Sequence, residues 1–155
     1  MDRLPFKVFL DTNVLLDVLC APRRPASEAS LTIFQAIRSG LFEGMLTVQS
    51  IVDASYILSR EEPSGPEAFK RRILSMLNYI NVESVSAFDV RDAIRHGGPD
   101  FEDAVQFACA DAAGCDAIIT SDRKFRHQRE GSESGILFFS PEAFVARMTA
   151  DPSPE

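Results

Sequence analysis

The chain has no tryptophan, only two histidines, three cysteines and no excess of positive charge. Each shortage removes a class of explanation. Cys20, Cys109 and Cys115 are odd in number, form no Cys-x-x-Cys pair and have only His96 and His127 to join them. Neither a zinc set nor a disulfide framework is expected, and the thiols read as small apolar core residues in a reducing compartment. A net charge of -7 argues against a nucleic-acid coat protein, whose affinity rests on many phosphate-neutralising Lys and Arg. It leaves room for an enzyme that meets nucleic acid through bound metal and a few local arginines. Long hydrophobic runs are missing too. The apolar start Val8-Phe9-Leu10 is interrupted by Asp11, Asn13 and Asp17, so neither a signal peptide nor a membrane span is expected, and the protein reads as cytoplasmic.

What is present fits one globular domain. The 155 residues are 45% apolar and 25% charged, enough for a real core. The expected unit runs over residues 1–150, with Asp151 to Glu155 a flexible tail. Short apolar runs at Val8 to Asp11, Gly44 to Val48, Asn81 to Val85, Ala117 to Thr120 and Ile136 to Phe139 read as strands. Between them lie helical patterns: Thr12 to Cys20, a stripe at Ala29, Ile33, Ala36 and Ile37, then about Gln49 to Arg60. Glu67 to Tyr79, with Phe69, Ile73, Leu74 and Leu77 inward, and Ala87 to Arg95 follow. Phe101, Ala104, Val105, Ala108, Cys109 and Ala112 form another stripe, and Pro141 starts a last helix. Gly40 and Gly114 read as helix stops, and Pro63-Ser64-Gly65-Pro66 as a turn. Asp122 to Gly135 reads as too polar to pack. Strands alternating with helices imply a three-layer α/β/α fold around a mostly parallel sheet of about five strands.

Several of the apolar runs lead to an acid. Asp11 ends the first, Asp53 lies in the helix after the second, Asp103 opens the helix before the fourth, and Asp122 follows the fourth. Each has an innocent explanation. Asp11 and Asp122 suit helix or turn caps, and Asp100 and Asp103 suit the first turn of a helix, where the dipole favours negative charge. Asp53 is harder to dismiss, because aspartate is a poor helix-interior residue and no Lys or Arg lies within one turn. In a doubly wound sheet these positions converge on one edge. Clustered carboxylates raise one another's pKa unless a hard cation such as Mg²⁺ or Mn²⁺ offsets the repulsion. The conjunction therefore reads as a metal-dependent enzyme acting on phosphate.

The order Asp11-Thr12-Asn13, an acid after the second strand, Asp103-Ala104 on an apolar helix, and Thr120-Ser121-Asp122 with Phe125 resembles the PIN domain family. Its VapC-type members are toxin ribonucleases of toxin–antitoxin pairs. The resemblance extends from Val8 to about Met148. It implies endoribonuclease activity with Mg²⁺ or Mn²⁺, an RNA substrate, a cognate antitoxin partner and a homodimer, for which Leu41 and Phe42 are candidate exposed apolar residues. Asp11, Asp103 and Asp122 match the family's first, third and fourth acids. Asp53 matches the second, where the family usually has Glu; the side chain is shorter by one methylene, roughly 1.5 Å of reach. Thr12, Asn13, Thr120 and Ser121 fall where the family places polar supporting residues.

The implied mechanism is metal-assisted hydrolysis, with Asp11, Asp103 and Asp122 holding one ion and Asp53 sharing it or helping a second. Arg123, Lys124 and Arg126 are candidates to position RNA phosphates, or are simply a solvated basic loop. A non-catalytic PIN-like module binding RNA or protein is the alternative. A phosphoacceptor signalling domain fits less well, since Asn81-Val82-Glu83-Ser84-Val85 offers no acceptor aspartate at the end of the third strand. A phosphatase of the haloacid-dehalogenase type would need an aspartate where Asn13 stands.

Overall fold

The short apolar runs pair into a five-stranded sheet in a computed structural model that describes residues 7–61, 65–128 and 133–150. The strands are β1 (Lys7–Leu10), β2 (Glu43–Thr47), β3 (Asn81–Glu83), β4 (Ala117–Ile119) and β5 (Leu137–Phe139), in the order β3-β2-β1-β4-β5. Every neighbouring pair is parallel. Side chains alternate across a strand, so a strand covered on both faces reads as continuously apolar. Val8 and Leu10 enter one core with Leu46, Ala117 and Ile119, while Phe9 enters the other with Met45 and Ile118. Register enforces the division, because Phe9 lies between Met45 and Ile118 on the two flanking strands.

Eight helices cover the described sheet: α1 (Thr12–Leu19), α2 (Ser27–Arg38), α3 (Val48–Glu61), α4 (Pro66–Met76), α5 (Ala87–His96), α6 (Phe101–Ala112), α7 (Arg123–Gln128) and α8 (Pro141–Ala150). Helices α1 to α4 and α8 supply the first core with Val14, Ile33, Ala54, Ile73 and Phe144. Helices α6 and α7 supply the second with Cys109, Ala110 and Phe125. Gly114 (φ 69°) closes α6: its left-handed backbone lets the Cys115 amide return to the Ala110 carbonyl at 3.0 Å. That turn feeds the chain directly into β4.

Strand order explains where a site can form. From β1 the chain runs outward through β2 and β3, then crosses back to place β4 and β5 on the opposite side. The connections after β1 and β4 therefore leave in opposite directions, which opens a crevice at their carboxyl ends.

The sheet is wholly parallel and the expected elements are found, with β1 to β4 ending a residue or two earlier than the apolar runs suggest and β5 beginning a residue later. All three cysteines are buried thiols. Four packing expectations are corrected. Leu74 and Leu77 face outward, 68% and 49% exposed, because α4 turns Ile73 and Met76 to the core instead. Phe101 of the α6 stripe is also exposed, while Phe42 is buried edge-on against Phe144 rather than open for a partner. Of the polar stretch from Asp122 to Gly135, Arg123–Gln128 form α7, which drives Phe125 fully into the second core against Phe138, and residues 129–132 lie outside the described residues. Pro63 and Ser64 of the expected turn and the tail from Asp151 lie outside the described residues; Gly65 precedes α4, with Pro66 at its start.

Truncating Phe125 should show that this segment is part of the fold. Phe125→Ala is expected to lower the unfolding free energy by about 3–5 kcal/mol in chemical denaturation. A loss below about 1 kcal/mol would mean that α7 is not docked in solution.

Candidate active site

Asp11 stands at the bottom of the crevice, 5% exposed, where β1 gives way to α1. Its backbone amide still pairs with the Ile119 carbonyl of β4 at 3.0 Å, so the sheet fixes its main chain. One carboxylate oxygen accepts from the Thr12 amide at 2.7 Å. The other accepts from the Asn13 amide nitrogen at 2.9 Å and from the Thr120 hydroxyl at 2.6 Å. Burial nevertheless dominates and raises the Asp11 pKa, against which the Thr120, Thr12 and Gln106 hydrogen bonds act. Asp11 is thus both the N-cap of α1 and a buried carboxylate; the two readings of it hold together.

Thr120 and Asn13 join the two strand ends. The Thr120 hydroxyl accepts from Asn13 at 3.2 Å and from the Asp122 amide at 3.0 Å, and Asn13 Oδ1 accepts from the Ser121 amide at 3.1 Å. A second tether lies on the β2 side. Thr12 donates to the Ser50 hydroxyl at 2.8 Å, and the Ser50 amide donates to Thr47 Oγ1 at 3.0 Å, which caps α3. Thr47 and Ser50 are buried. They fix the start of α3 and so the height of Asp53, three residues on. Asp53 is half-buried and takes a 2.8 Å hydrogen bond from Gln49, one turn back, so in this structure its partner is an amide.

Helix α6 brings a denser set than the sequence reading identified. Asp100 is its N-cap, accepting from the Asp103 amide at 3.0 Å, as its cap reading implies. Asp103 is 8% exposed, and its carboxyl is pushed up to about 7, first by desolvation and then by the charges of Asp100, Asp11, Asp122 and Glu102. Glu102 is raised by desolvation and then by Asp11, Asp53 and Asp100. The charge of Glu102 therefore links Asp53 to the others. Gln106, one turn further along, is 7% exposed; its Nε2 makes a long 3.4 Å contact with Glu102, and its proximity lowers the Asp11 pKa against the effect of burial. Sequence reading does not single out Glu102, Gln106, Thr47 or Ser50: Thr47 ends β2 without a charge, Ser50 is an ordinary helix-start residue, and the Asp-x-Glu-Asp run at the start of α6 is the nearest signal for Glu102 and Gln106.

Asp122 caps α7, accepting from the Lys124 amide at 2.8 Å. Arg123 and Lys124 are exposed beside it. Arg126 turns inward to the Thr120 carbonyl at 3.1 Å, which makes it a support for the β4 end rather than an open phosphate contact.

The structure thus gathers Asp11, Asp53, Asp103 and Asp122, with Asp100 and Glu102, at one sheet edge. Among the described residues no ion pair involves any of the six. Their donor chemistry, oxygen atoms of uncompensated negative charge, suits a hard divalent cation. Among the described residues, no three His, Cys, Asp or Glu side chains already converge tightly enough to share an ion. A largely apolar cleft of about 630 Å³ lies elsewhere, between α3 and α4, and none of the acids lines it.

The family model of the PIN domain matches residues 7–124, from the start of β1 through Asp122. The chain belongs to the PIN domain family. Within that family it is 24% identical over 122 residues to ribonuclease VapC1 of Aquifex aeolicus, covering 77% of this chain and 83% of the relative. Among solved structures it is similar to VapC20 of Mycobacterium tuberculosis, described as a toxin cleaving the sarcin–ricin loop: TM-score 0.59, 20% identity, 76% of this chain and 92% of the other. A toxin–antitoxin complex from Klebsiella pneumoniae gives TM-score 0.58 at 15% identity, covering 86% and 97%. These structural likenesses establish the PIN fold. No described helix is long and apolar enough to cross a membrane.

The raised carboxyls of this PIN domain set a pH dependence. The folded protein keeps a proton on Asp103 until about pH 7, whereas the unfolded chain releases it near about pH 3.9. Its contribution to stability is full at low pH and lost as pH rises through 7. In EDTA the denaturation midpoint should therefore fall between about pH 4 and about pH 7 and level off above, and Asp103→Asn should flatten that fall. Parallel profiles for the two proteins would contradict the crowding of Asp103.

Proposed function

We propose that the chain is a divalent-metal-dependent endoribonuclease that hydrolyses RNA phosphodiester bonds, the toxin component of a toxin–antitoxin pair. The observation that carries the reading is that Asp11, Asp103 and Asp122 lie at the crevice between β1 and β4 without an ion-pair partner among the described residues, and that the charges of Asp11 and Asp122 bear on Asp103. Similarity to a VapC ribonuclease supports the substrate class. The presence of a toxin–antitoxin complex among the structural relatives supports the partner.

In this reading Asp11, Asp103 and Asp122 would hold Mg²⁺ or Mn²⁺, with Asp53 sharing the ion or helping a second. When bound, the cation would supply charge against the developing phosphoryl oxygens and acidify an attacking water. The chain's own groups do the rest. Thr120, Asn13 and the Thr12 amide hold Asp11 in one rotamer, so the first carboxylate is set before substrate arrives. Gln49 orients Asp53. Glu102, outside the ligand set and raised in pKa by desolvation and neighbouring carboxylates, would accept the proton of the attacking water. Arg123 and Lys124, exposed next to Asp122, engage RNA phosphates by charge. The exposed Val52 and Tyr56 on the α3–α4 cleft offer apolar surface to an antitoxin. A homodimer would use another exposed apolar patch.

Purified protein should cut RNA in millimolar Mg²⁺ or Mn²⁺ and not in EDTA. Mn²⁺ should also raise the melting temperature, since a ligand at a hundredfold excess over its Kd stabilises by about 2.7 kcal/mol. Cleavage that persists in EDTA would sink the mechanism. Stabilisation by Mn²⁺ without cleavage of any RNA would favour the non-catalytic module.

The acids should separate by role. Asp11→Asn and Asp103→Asn should abolish both cleavage and the Mn²⁺ response. Asp53→Glu, restoring the family's usual residue, should retain or increase cleavage if this position reaches the ion. An Asp103→Asn protein that still melts higher in Mn²⁺ would tell for a helix-cap role only.

A further inference from the structure

Among the described residues, one buried side-chain oxygen or nitrogen lacks a hydrogen-bond partner: Oε1 of Gln106. Native interiors seldom leave such an atom unpaired, because the desolvation of the group is then uncompensated. Its position is informative. Gln106 is 7% exposed and lies on α6 one turn beyond Glu102 and Asp103. Its Nε2 faces Glu102 Oε1 at 3.4 Å, and the side chain lies close enough to Asp11 to favour the charged form of that carboxylate. Carboxylates accept and do not donate, so they fix which end of the amide is which. A flipped amide would set its oxygen against Glu102 and Asp11. The nitrogen end faces Glu102, and the oxygen at the other end of the amide is left buried and unpartnered beside the same group of acids.

We propose that Gln106 is a positioning residue of the cation site, its nitrogen steering Asp11 and Glu102 and its carbonyl oxygen turned to the divalent ion or to that ion's hydration shell. This rests on the cation reading above. A neutral oxygen suits the place. The crevice already gathers six carboxylates, and a seventh would deepen their repulsion, whereas an amide adds a hard donor without charge. Its two ends also do opposite work: the donor end steadies a carboxylate, and the acceptor end faces positive charge. Outer partners of this kind commonly govern metal affinity by 10–100-fold.

The test measures Mn²⁺ itself, without RNA. Free Mn²⁺ is followed by electron paramagnetic resonance during titration of the wild type, Gln106→Met and Gln106→Glu, with the metal-free melting temperature of each. Met matches the size and removes both the oxygen and the donors. It should weaken Mn²⁺ binding by about 10-fold or more while the metal-free protein melts as the wild type does or higher, because the unpaired atom is gone. Glu keeps an oxygen in place and should bind Mn²⁺ at least as tightly as the wild type, though its metal-free form should melt lower. A purely structural role would lower the Met variant's melting temperature and leave its Mn²⁺ affinity alone. Wild-type affinity in Gln106→Met overturns the assignment of Gln106 and leaves the cation site standing. Should that variant not fold, weakened binding in Gln106→Glu overturns it. A wild type that binds no Mn²⁺ overturns the cation reading as well.

Discussion

The Asp11 carboxylate is buried where β1 meets α1; the Thr12 amide, Asn13 and Thr120 hydrogen-bond it, and the neighbouring Gln106 side chain also favours its charge. Those partners come from α1, from the end of β4 and from α6. Holding one charge in place therefore ties together the three segments that define the crevice. Burial still outweighs the hydrogen bonds and keeps the pKa of Asp11 raised. The network orients the charge without neutralising it. The remaining electrostatics follow from this, because every further carboxylate brought to the crevice must face a negative charge that no cationic side chain offsets.

The tension explains why the fold around the site is so well tethered. Like charges would push α3, α6 and the β4 end apart. Polar contacts oppose them: Thr47 with Ser50 at α3, Asp100 at the start of α6, Asn13 with Ser121 and Arg126 with Thr120 at the β4 end. The two cores supply the bulk of cohesion, with Phe9, Met45 and Ile118 on one side and Leu10, Leu46 and Ile119 on the other. A scaffold of this kind stores repulsion at one edge and withholds it from the rest. Functional sites commonly violate the local rules that the surrounding fold obeys.

Much of this was legible from residue order. Parallel strands buried on both faces are continuous apolar runs, and an acid placed just after such a run can only emerge at the sheet's carboxyl edge. Asp11 and Asp122 were found that way. Asp103 was found by the first-turn position that also gives it a cap-side environment. Legibility failed where the signal is three-dimensional. Phe125 sits amid Arg123, Lys124 and Arg126, so its burial follows from Phe138, a partner on β5. On α4, Leu74 and Leu77 share composition with Ile73 and Met76, and only the direction of approach to α1 and α3 decides which pair faces in. The Thr12–Ser50–Thr47 tether is made of residues ordinary in any loop or helix start. Asp53 looked partnerless because amides were not counted, and Gln49 is its partner.

The central claim is that the carboxylate cluster exists to hold a divalent cation, and a crystal soaked in Mn²⁺ examines it most directly by anomalous diffraction. The account predicts a peak in the crevice between β1 and β4, within ordinary metal–oxygen distance of Asp11, Asp103 and Asp122, with side chains drawn inward from their present spacing. Density in the crevice without an anomalous signal, or a peak bound only at surface acids outside it, would contradict the claim.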